Sequence, residues 1–141
     1  MTRDDIVSLL AAHQDAFLRR DAAALAAQHA EHGTFDGPAH PGVKGRAAIA
    51  ETYKFWFTAF PDLRLTWSPP IVDGDRAAIF WSFVGTAHGP FFGVIGAGTH
   101  IEMPGAAEYT FDDGAIASVR HVFDFSSVLM KAGVLKVKPG I

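Results

Sequence analysis

The 141-residue sequence contains no cysteine. Disulfides, thiol nucleophiles and metal sites built on thiolates are therefore excluded. Basic residues are also scarce, because 12 Lys and Arg stand against 15 Asp and Glu and give a formal charge of -3. No cluster of Lys and Arg offsets that balance, so we expect no nucleic acid partner.

Long apolar runs are missing as well. None approaches the roughly 20 residues that a helix needs to cross a bilayer, so we expect no membrane partner. The N-terminus MTRDDIVSLL is acidic and amphipathic, unlike a secretion signal, and we expect a cytoplasmic protein. The length fits a single domain over residues 1–141, with a tail from Lys136 to Ile141 that we expect to be loose.

What the sequence has in abundance is apolar rings. It contains 12 Phe and three Trp against two Tyr, within an apolar share of 49%. Such a composition suits a large core or an apolar pocket, and composition alone does not separate the two.

Hydrophobic periodicity predicts helices in the first sixty residues. Thr2 and Asp5 match a capping box, which starts the first helix at Arg3. His13 and Phe17 then fall on its buried stripe. His13 could orient a substrate oxygen, and a satisfied core histidine is the alternative.

A second helix follows, for which Asp21 is a good cap. We extend this helix through His29 and His32, which lack carboxylate or cysteine partners at metal spacing. We therefore expect no bound metal. The next segment, Gly33–Gly45, is rich in glycine and proline and is predicted to be a loop with a short strand at Thr34–Asp36.

A third helix is predicted from Arg46 to about Phe60, and Pro61 ends it. Tyr53 and Trp56 face inward on its apolar stripe. Tyr53 could donate a hydrogen bond to an enolate oxygen. The alternative for both side chains is plain packing.

After this helix the apolar period becomes alternating, which predicts strands joined by hairpins. A Pro104-Gly105 pair is expected to bulge one of them, and a short helix follows the last. Helices segregated from an antiparallel meander indicate an α+β fold. The predicted strands are Leu63–Ser68, Arg76–His88, Thr99–Phe111 and Ala115–Phe123.

The last predicted strand carries the sharpest candidate for a reactive group. Val119, His121 and Phe123 share one face, because strand side chains alternate, and Arg120 lies on the other. An imidazole can take and return a proton near neutral pH. The alternative is a core histidine that is hydrogen-bonded to a neighbouring carbonyl.

Local sequences between Gly33 and Gly133 resemble the SnoaL-like polyketide cyclase family of the nuclear transport factor 2-like superfamily. The resemblance implies a cone-shaped, curved antiparallel sheet packed on three N-terminal helices, a cystatin-like α+β barrel with a pocket. It also implies a homodimer through the outer face of the sheet. The segments that carry it are HPGVKGRAAI (40–49), AFPDLRL (59–65), VDGDRAAIFWSFVGTAHGPFFGV (72–94), FDDGAIASV (111–119) and DFSSVLMKAG (124–133).

The resemblance also implies a chemistry. In these cyclases a carboxylate on the last strand acts as acid and base, three residues before the aspartate that opens the final helix. Matching that aspartate to Asp124 puts His121 at the catalytic position, where this sequence departs from the family. The implied reaction is a cofactor-free enolisation or intramolecular aldol cyclisation of an apolar, carbonyl-bearing, polyketide-like substrate.

In this interpretation His121 moves the proton, and Tyr53 or His13 holds the developing oxyanion. Apolar side chains surround the substrate, unless they fill the cone and leave no cavity. The candidate substrate-binding residues are Phe17, Trp56, Trp81, Phe83, His88, Phe91, Met103 and Phe123.

Two other functions stay open. The missing carboxylate at position 121 favours a non-catalytic protein of the same fold that binds a hydrophobic small ligand. An epoxide hydrolase or isomerase-like member is the third reading. Resemblance to the epoxide hydrolases implies an Arg-x-Asp pair where this sequence has Trp81-Ser82-Phe83.

Overall fold

The computed structural model describes residues 1–136 and residue 138. The tail predicted to be loose therefore lies outside the described residues, apart from Lys136 and Lys138. No helix in the described part of the chain is both long and apolar enough to cross a membrane. The helices there are α1 (Arg3–Leu18), α2 (Ala22–Ala27), α3 (Arg46–Ala59) and α4 (Phe125–Lys131).

The capping residues that the sequence indicates set three of the four helix starts. Thr2 and Asp5 form the expected capping box, with backbone N–H to side-chain distances of 2.9 and 3.1 Å. The carboxylate of Asp21 accepts the N–H of Ala24 at the start of α2. Asp124 accepts the N–H of Ser127 at 3.0 Å and so caps α4.

The prediction that the second helix runs through His32 is wrong. The helix ends at Ala27, and His29–Asp36 forms a strand, β1. Long-range pairing with the last strand outweighs the local preference for helix. Because side chains alternate on a strand, His29 is fully buried while His32 is exposed.

The remaining strands build one large sheet and a small hairpin. These strands are β2 (Val43–Lys44), β3 (Arg64–Trp67), β4 (Ile71–Asp73), β5 (Arg76–Ala87), β6 (Pro90–Phe91), β7 (Val94–Ile95), β8 (Thr99–Asp112) and β9 (Ala115–Phe123). The large sheet has the order β2-β1-β9-β8-β5-β3, with β4 also paired to β5, and β6 pairs with β7 separately.

The α+β class and the curved sheet packed on the helices are confirmed, with two corrections. The sheet is mixed, because β1 runs parallel to β9 while every other neighbouring pair is antiparallel. The sheet is also open, since its edge strands β2 and β3 do not pair with each other. It is therefore a curved, open cone rather than a closed barrel.

The bulge expected at Pro104-Gly105 is not formed. The β5–β8 register continues unbroken from Arg76↔Thr110 to Ala87↔Thr99. Gly105 instead makes room for an indole ring, because a Cβ there would lie 2.2 Å from Trp81 Cζ2. The register shift of β8 lies further along, in its pairing with β9 between Thr110 and Phe111.

The hydrophobic core lies between the helices and the inner face of the sheet. Its members include Ile6 and Leu10 from α1, Ile49 from α3, and Ile79 and Ile101 from β5 and β8, all with 0–1% of their surface exposed. Each such side chain contributes about 1.5–3 kcal/mol by leaving water. This core fixes the distance between α3 and the sheet, which defines the site described next.

Candidate functional site

The inner face of the sheet and the helices enclose a pocket. It holds about 590 Å³ of space between atoms, including its open mouth, and the centre of a water molecule can occupy about 70 Å³ of that space. The pocket is therefore narrow and opens to solvent. Its wall includes the predicted residues Phe17, Tyr53, Trp56, Trp81, Phe83, Met103, His121 and Phe123.

Further wall residues were not predicted as site residues. Most are apolar side chains or small residues from β1, the loop after it, α3 and the approach to β3. None of the described residues that line the pocket is Asp or Glu, so the wall carries no carboxylate. The additional lining residues are Phe35, Gly37, Ala39, His40, Phe57, Leu63 and Leu65.

The strand register brings the sheet residues of the wall together. Trp81, Gly105 and Phe123 stand side by side across β5, β8 and β9. Ala107 of β8 stands directly beside His121 in the next row. The two central residues are small, so the bulky side chains on either side can extend over β8.

His121 extends from β9 into this pocket. Its ring centroid lies 5.1 Å from that of Phe35 and 6.0 Å from that of Trp81. The residue is half-buried, and its ring nitrogens make no hydrogen bond within the part of the chain that is described. The expected alternative, a core histidine bonded to a carbonyl, is therefore not what the structure shows.

Desolvation controls the charge of His121. Burial, with a smaller effect from the nearby His13, lowers the pKa of His121 from 6.5 to about 4. At neutral pH the ring is therefore neutral. One ring nitrogen then carries a lone pair and the other an N–H, and both are free for a bound molecule.

Tyr53 of α3 also lines the pocket, and its hydroxyl contacts two buried histidines. Its hydroxyl oxygen lies 2.7 Å from His29 Nε2 and 3.5 Å from His13 Nε2. Burial raises the pKa of Tyr53 well above its ordinary value, so the phenol stays neutral. The hydroxyl is positioned to act as a neutral hydrogen-bond donor or acceptor.

His13 lies behind Tyr53 and does not line the pocket. It is fully buried, and its Nδ1 lies 2.6 Å from Gln28 Oε1. Desolvation lowers the pKa of His13 to about 4, against the opposing effect of the Gln28 hydrogen bond. The prediction that His13 lies on the buried stripe of α1 is confirmed. Because His13 lies behind Tyr53, any effect of His13 on a bound ligand would act through Tyr53.

His29 and His40 are polar groups that the sequence reasoning did not place at the site. His29 was assigned to a helix, whereas strand alternation would have placed it on the inner face. Burial, with smaller effects from neighbouring charges, lowers its pKa to about 3. His40 lies in the loop after β1, where its Nε2 accepts the indole N–H of Trp56 at 2.9 Å.

Two predicted binding residues lie away from the pocket wall. Phe91 belongs to β6 and is buried against Phe60 and Trp56. His88 follows β5 and is exposed, and its backbone N–H donates to the carbonyl of Ala59.

Among the described residues there is also no group of three or more His, Asp or Glu that could hold a metal ion.

Comparison with solved structures defines the class of fold. A protein from Catenulispora acidiphila with a ketosteroid isomerase-like fold, in complex with trimethylamine, matches at TM-score 0.76 with 22% identity, over 90% of this chain and 93% of its own. AclR of Streptomyces galilaeus, a candidate hydroxylase, matches at TM-score 0.82 with 22% identity, over 98% of this chain and 87% of its own.

A candidate SnoaL-like polyketide cyclase from Jannaschia sp. CCS1 has TM-score 0.80 and 19% identity, over 96% of this chain and 99% of its own. Because these sequence identities are low, the similarity to these structures shows the fold alone, which is the nuclear transport factor 2-like fold. The sequence itself matches the model of the SnoaL-like polyketide cyclase family over residues 7–131. The chain belongs to that family. A search of curated proteins finds no match.

Proposed function

We propose that this protein is a cofactor-free enzyme that enolises an apolar, carbonyl-bearing small molecule in the pocket, leading to intramolecular aldol closure. The observation that carries the proposal is the imidazole of His121. It has no hydrogen-bond partner among the described residues and lies in an otherwise largely apolar wall. Family membership and the apolar wall of the pocket support a small-molecule substrate.

The proposed step uses groups that line the pocket. The lone pair of His121 takes a proton from the carbon beside a carbonyl, and the C–H electrons move onto the carbonyl oxygen. Tyr53 donates a hydrogen bond to that oxygen. The enolate carbon then bonds to a second carbonyl carbon of the same molecule, whose oxygen takes the proton back from His121. The aromatic walls hold the two carbons together.

The low pKa of His121 limits the substrate. With its pKa at about 4, the ring is unprotonated at neutral pH and available as a base, although a weak one. It therefore suits a carbon acid that lies between two carbonyl groups. The enolate that forms beside the ring stabilises the imidazolium, since opposite charges in close contact favour the charged forms.

A non-catalytic binding protein is the second candidate. The absence of a carboxylate among the described lining residues, together with neutral histidines, favours this alternative. An epoxide hydrolase has no such support, because Trp81 and Phe83 occupy the wall where that resemblance implies an Arg-x-Asp pair.

We also propose that two copies associate through the outer face of the sheet. Phe80, Ala106 and Val122 stand in one row across β5, β8 and β9. Phe80 and Val122 are 61% and 54% exposed. An exposed apolar row of this kind fits an interface between identical faces.

Exchange of the acidic C–H for deuterium tests the proposed chemistry without knowledge of the natural substrate. An aromatic β-keto ester in D₂O is followed by NMR with the native protein, with His121→Ala and with His100→Ala. His100 is exposed beside Glu102, so its variant serves as the control. We expect His121→Ala to lose the acceleration by roughly 100-fold or more, as for other general bases.

Binding is measured in parallel from the fluorescence of Trp56 and Trp81, which line the pocket. We expect the His121→Ala variant to bind the ester within a few-fold of the native protein. Equal exchange rates in the native and His121→Ala proteins would refute His121 as the base. Binding with no acceleration by the native protein would favour the non-catalytic alternative.

A further inference from the structure

The polar groups behind the pocket form a continuous chain. Gln28 Oε1 lies 2.6 Å from His13 Nδ1, His13 Nε2 lies 3.5 Å from Tyr53 Oη, and Tyr53 Oη lies 2.7 Å from His29 Nε2. The side chains of His13, His29 and Tyr53 are at most 4% exposed. Tyr53 is the member of this chain that also lines the pocket.

The directions of these hydrogen bonds follow from their partners. The carbonyl oxygen of Gln28 only accepts, so His13 donates from Nδ1 and keeps a lone pair on Nε2. His29 is neutral, because burial lowers its pKa to about 3, and it therefore carries one ring hydrogen. Its Nδ1 is buried and has no partner within the described residues.

Two tautomers of His29 are possible, and they differ in cost. With the hydrogen on Nδ1, His29 would bury an N–H that has no acceptor, which is rare in proteins. With the hydrogen on Nε2, only a lone pair is left without a partner, and that N–H donates to Tyr53 Oη at 2.7 Å. In the second arrangement, each ring N–H of His13 and His29 donates a hydrogen bond.

We propose that His29 acts as a positioning residue, whose Nε2–H occupies one lone pair of Tyr53 and so directs the phenolic hydrogen to an oxygen of the molecule bound in the pocket. In the free protein, the acceptor that the described residues offer to that hydrogen is His13 Nε2, at a long 3.5 Å. A ligand oxygen competes easily with so weak a partner. Donation from His29 also makes the phenol a stronger donor.

This inference rests on the proposed function in one respect, since it requires a carbonyl-bearing ligand in the pocket. It assigns the end of the pocket at Tyr53 to an acceptor oxygen, a carbonyl or an enolate. A ligand that presents a C–H group there instead would leave the hydroxyl with its weak contact to His13. The chain thus selects for an oxygen at a defined place.

The tautomers are tested directly by long-range ¹H–¹⁵N NMR of the histidine rings at neutral pH. Signals are assigned with the variants His29→Gln and His13→Gln. We expect His29 to carry its hydrogen on Nε2 and His13 on Nδ1. A hydrogen on Nδ1 of His29 would overturn the proposal.

The hydrogen bond to the ligand is tested by the C=O stretching frequency of bound acetophenone, an aryl ketone probe. We expect binding to lower the frequency, Tyr53→Phe to remove the shift, and His29→Leu to reduce it. His29→Gln restores a donor and should recover most of the shift. The exposed His100→Ala variant should leave it unchanged.

This readout separates the two proposals, because it does not depend on turnover. A shift that depends on Tyr53, with no deuterium exchange by the native protein, would leave the inference standing and refute the enzyme. A bound probe whose frequency is the same in native and Tyr53→Phe proteins would overturn the inference. Failure of acetophenone to bind would overturn it as well.

Discussion

The two faces of the sheet differ sharply although the same strands build both. On β9 the inner side chains His121 and Phe123 line the pocket, whereas Arg120 and Val122 on the outer face are exposed. Outside, Glu108 pairs with Arg76 and with Arg120, the latter at 3.7 Å. Among the described residues, charged side chains are paired or solvated on the outer face and are absent from the pocket wall on the inner face, where burial keeps the histidines neutral.

The largest expected difference between the faces is in pH dependence. His13 has a pKa lowered from 6.5 to about 4 in the folded protein, so the unfolded chain binds more protons between those values. Stability is therefore full above about pH 6.5 and falls as the pH drops toward 4. By about pH 5, His13 alone should cost roughly 2 kcal/mol at 1.4 kcal/mol per pKa unit.

Urea unfolding at about pH 7 and pH 5 measures this loss, and His29 and His121 should add to it in the same direction. His13→Gln should flatten the pH dependence of the unfolding free energy, whereas the outer-face variant Phe80→Ala, which removes no titratable group, should leave it as it is. If the unfolding free energy depended equally on pH in the native protein and in His13→Gln, this result would contradict the burial of a neutral His13.

The next contrast concerns the stability contributed by two aromatic side chains that are neighbours on β5. Trp81 faces inward and is 5% exposed, whereas Phe80 faces outward and is 61% exposed. Trp81→Ala should lower the free energy of unfolding by about 3–5 kcal/mol, as for other large core deletions. Phe80→Ala should cost under about 1 kcal/mol in the monomer. Similar losses for the two variants in denaturant titrations at low protein concentration would show that the faces are not distinct.

Gly105 offers a smaller and more local change. A Cβ at this position would lie 2.2 Å from Trp81 Cζ2, so the indole or the strand must shift. We expect Gly105→Ala to cost about 1–3 kcal/mol and to change the fluorescence of the pocket tryptophans. Ala106→Ser, one residue along on the outer face, is the matched control. Unchanged stability and fluorescence in Gly105→Ala would mean that Trp81 does not lie over Gly105.

The smallest effect on the free energy of unfolding is expected from a charged side chain in the exposed row formed by Phe80, Ala106 and Val122. Val122 is 54% exposed, so Val122→Asp should change the free energy of unfolding by no more than about 0.5 kcal/mol in the monomer. It should nevertheless dissociate the proposed dimer, which sedimentation velocity measures directly. Thr66→Asp, on an exposed position of β3, is a control charge outside the row. A native protein that sediments as a monomer would contradict the proposed interface.

Much of the fold could be predicted because its signals are local. Capping residues marked three helix starts, and the alternation on the last strand correctly put His121 and Phe123 on the inner face. Only the end of β1, Thr34–Asp36, was predicted as a strand, because β1 is stabilised by parallel pairing with β9, some eighty residues away in the sequence. No local pattern reports such a contact, and the role of His29 was lost with it.

The pocket itself was only partly predictable. Alternation identifies inward side chains, but whether they fill the cone depends on the small residues beside them, such as Gly105 and Ala107. Those neighbours are set by strand register. His40 and Ala39 reach the wall from a loop whose path is fixed by Asp36, which accepts the N–H groups of Gly37 and Gly42. Such loop geometry has no periodic signal.

The measurement that we would make first is an NMR pH titration of the His121 ring, with and without a saturating aromatic β-keto ester. We predict that the ring stays neutral to below about pH 5, consistent with its lowered pKa, and that its nitrogen signals move when the ester binds while those of His100 do not. A ring that titrates near its ordinary pKa of about 6.5 and ignores the ester would contradict a site built around His121.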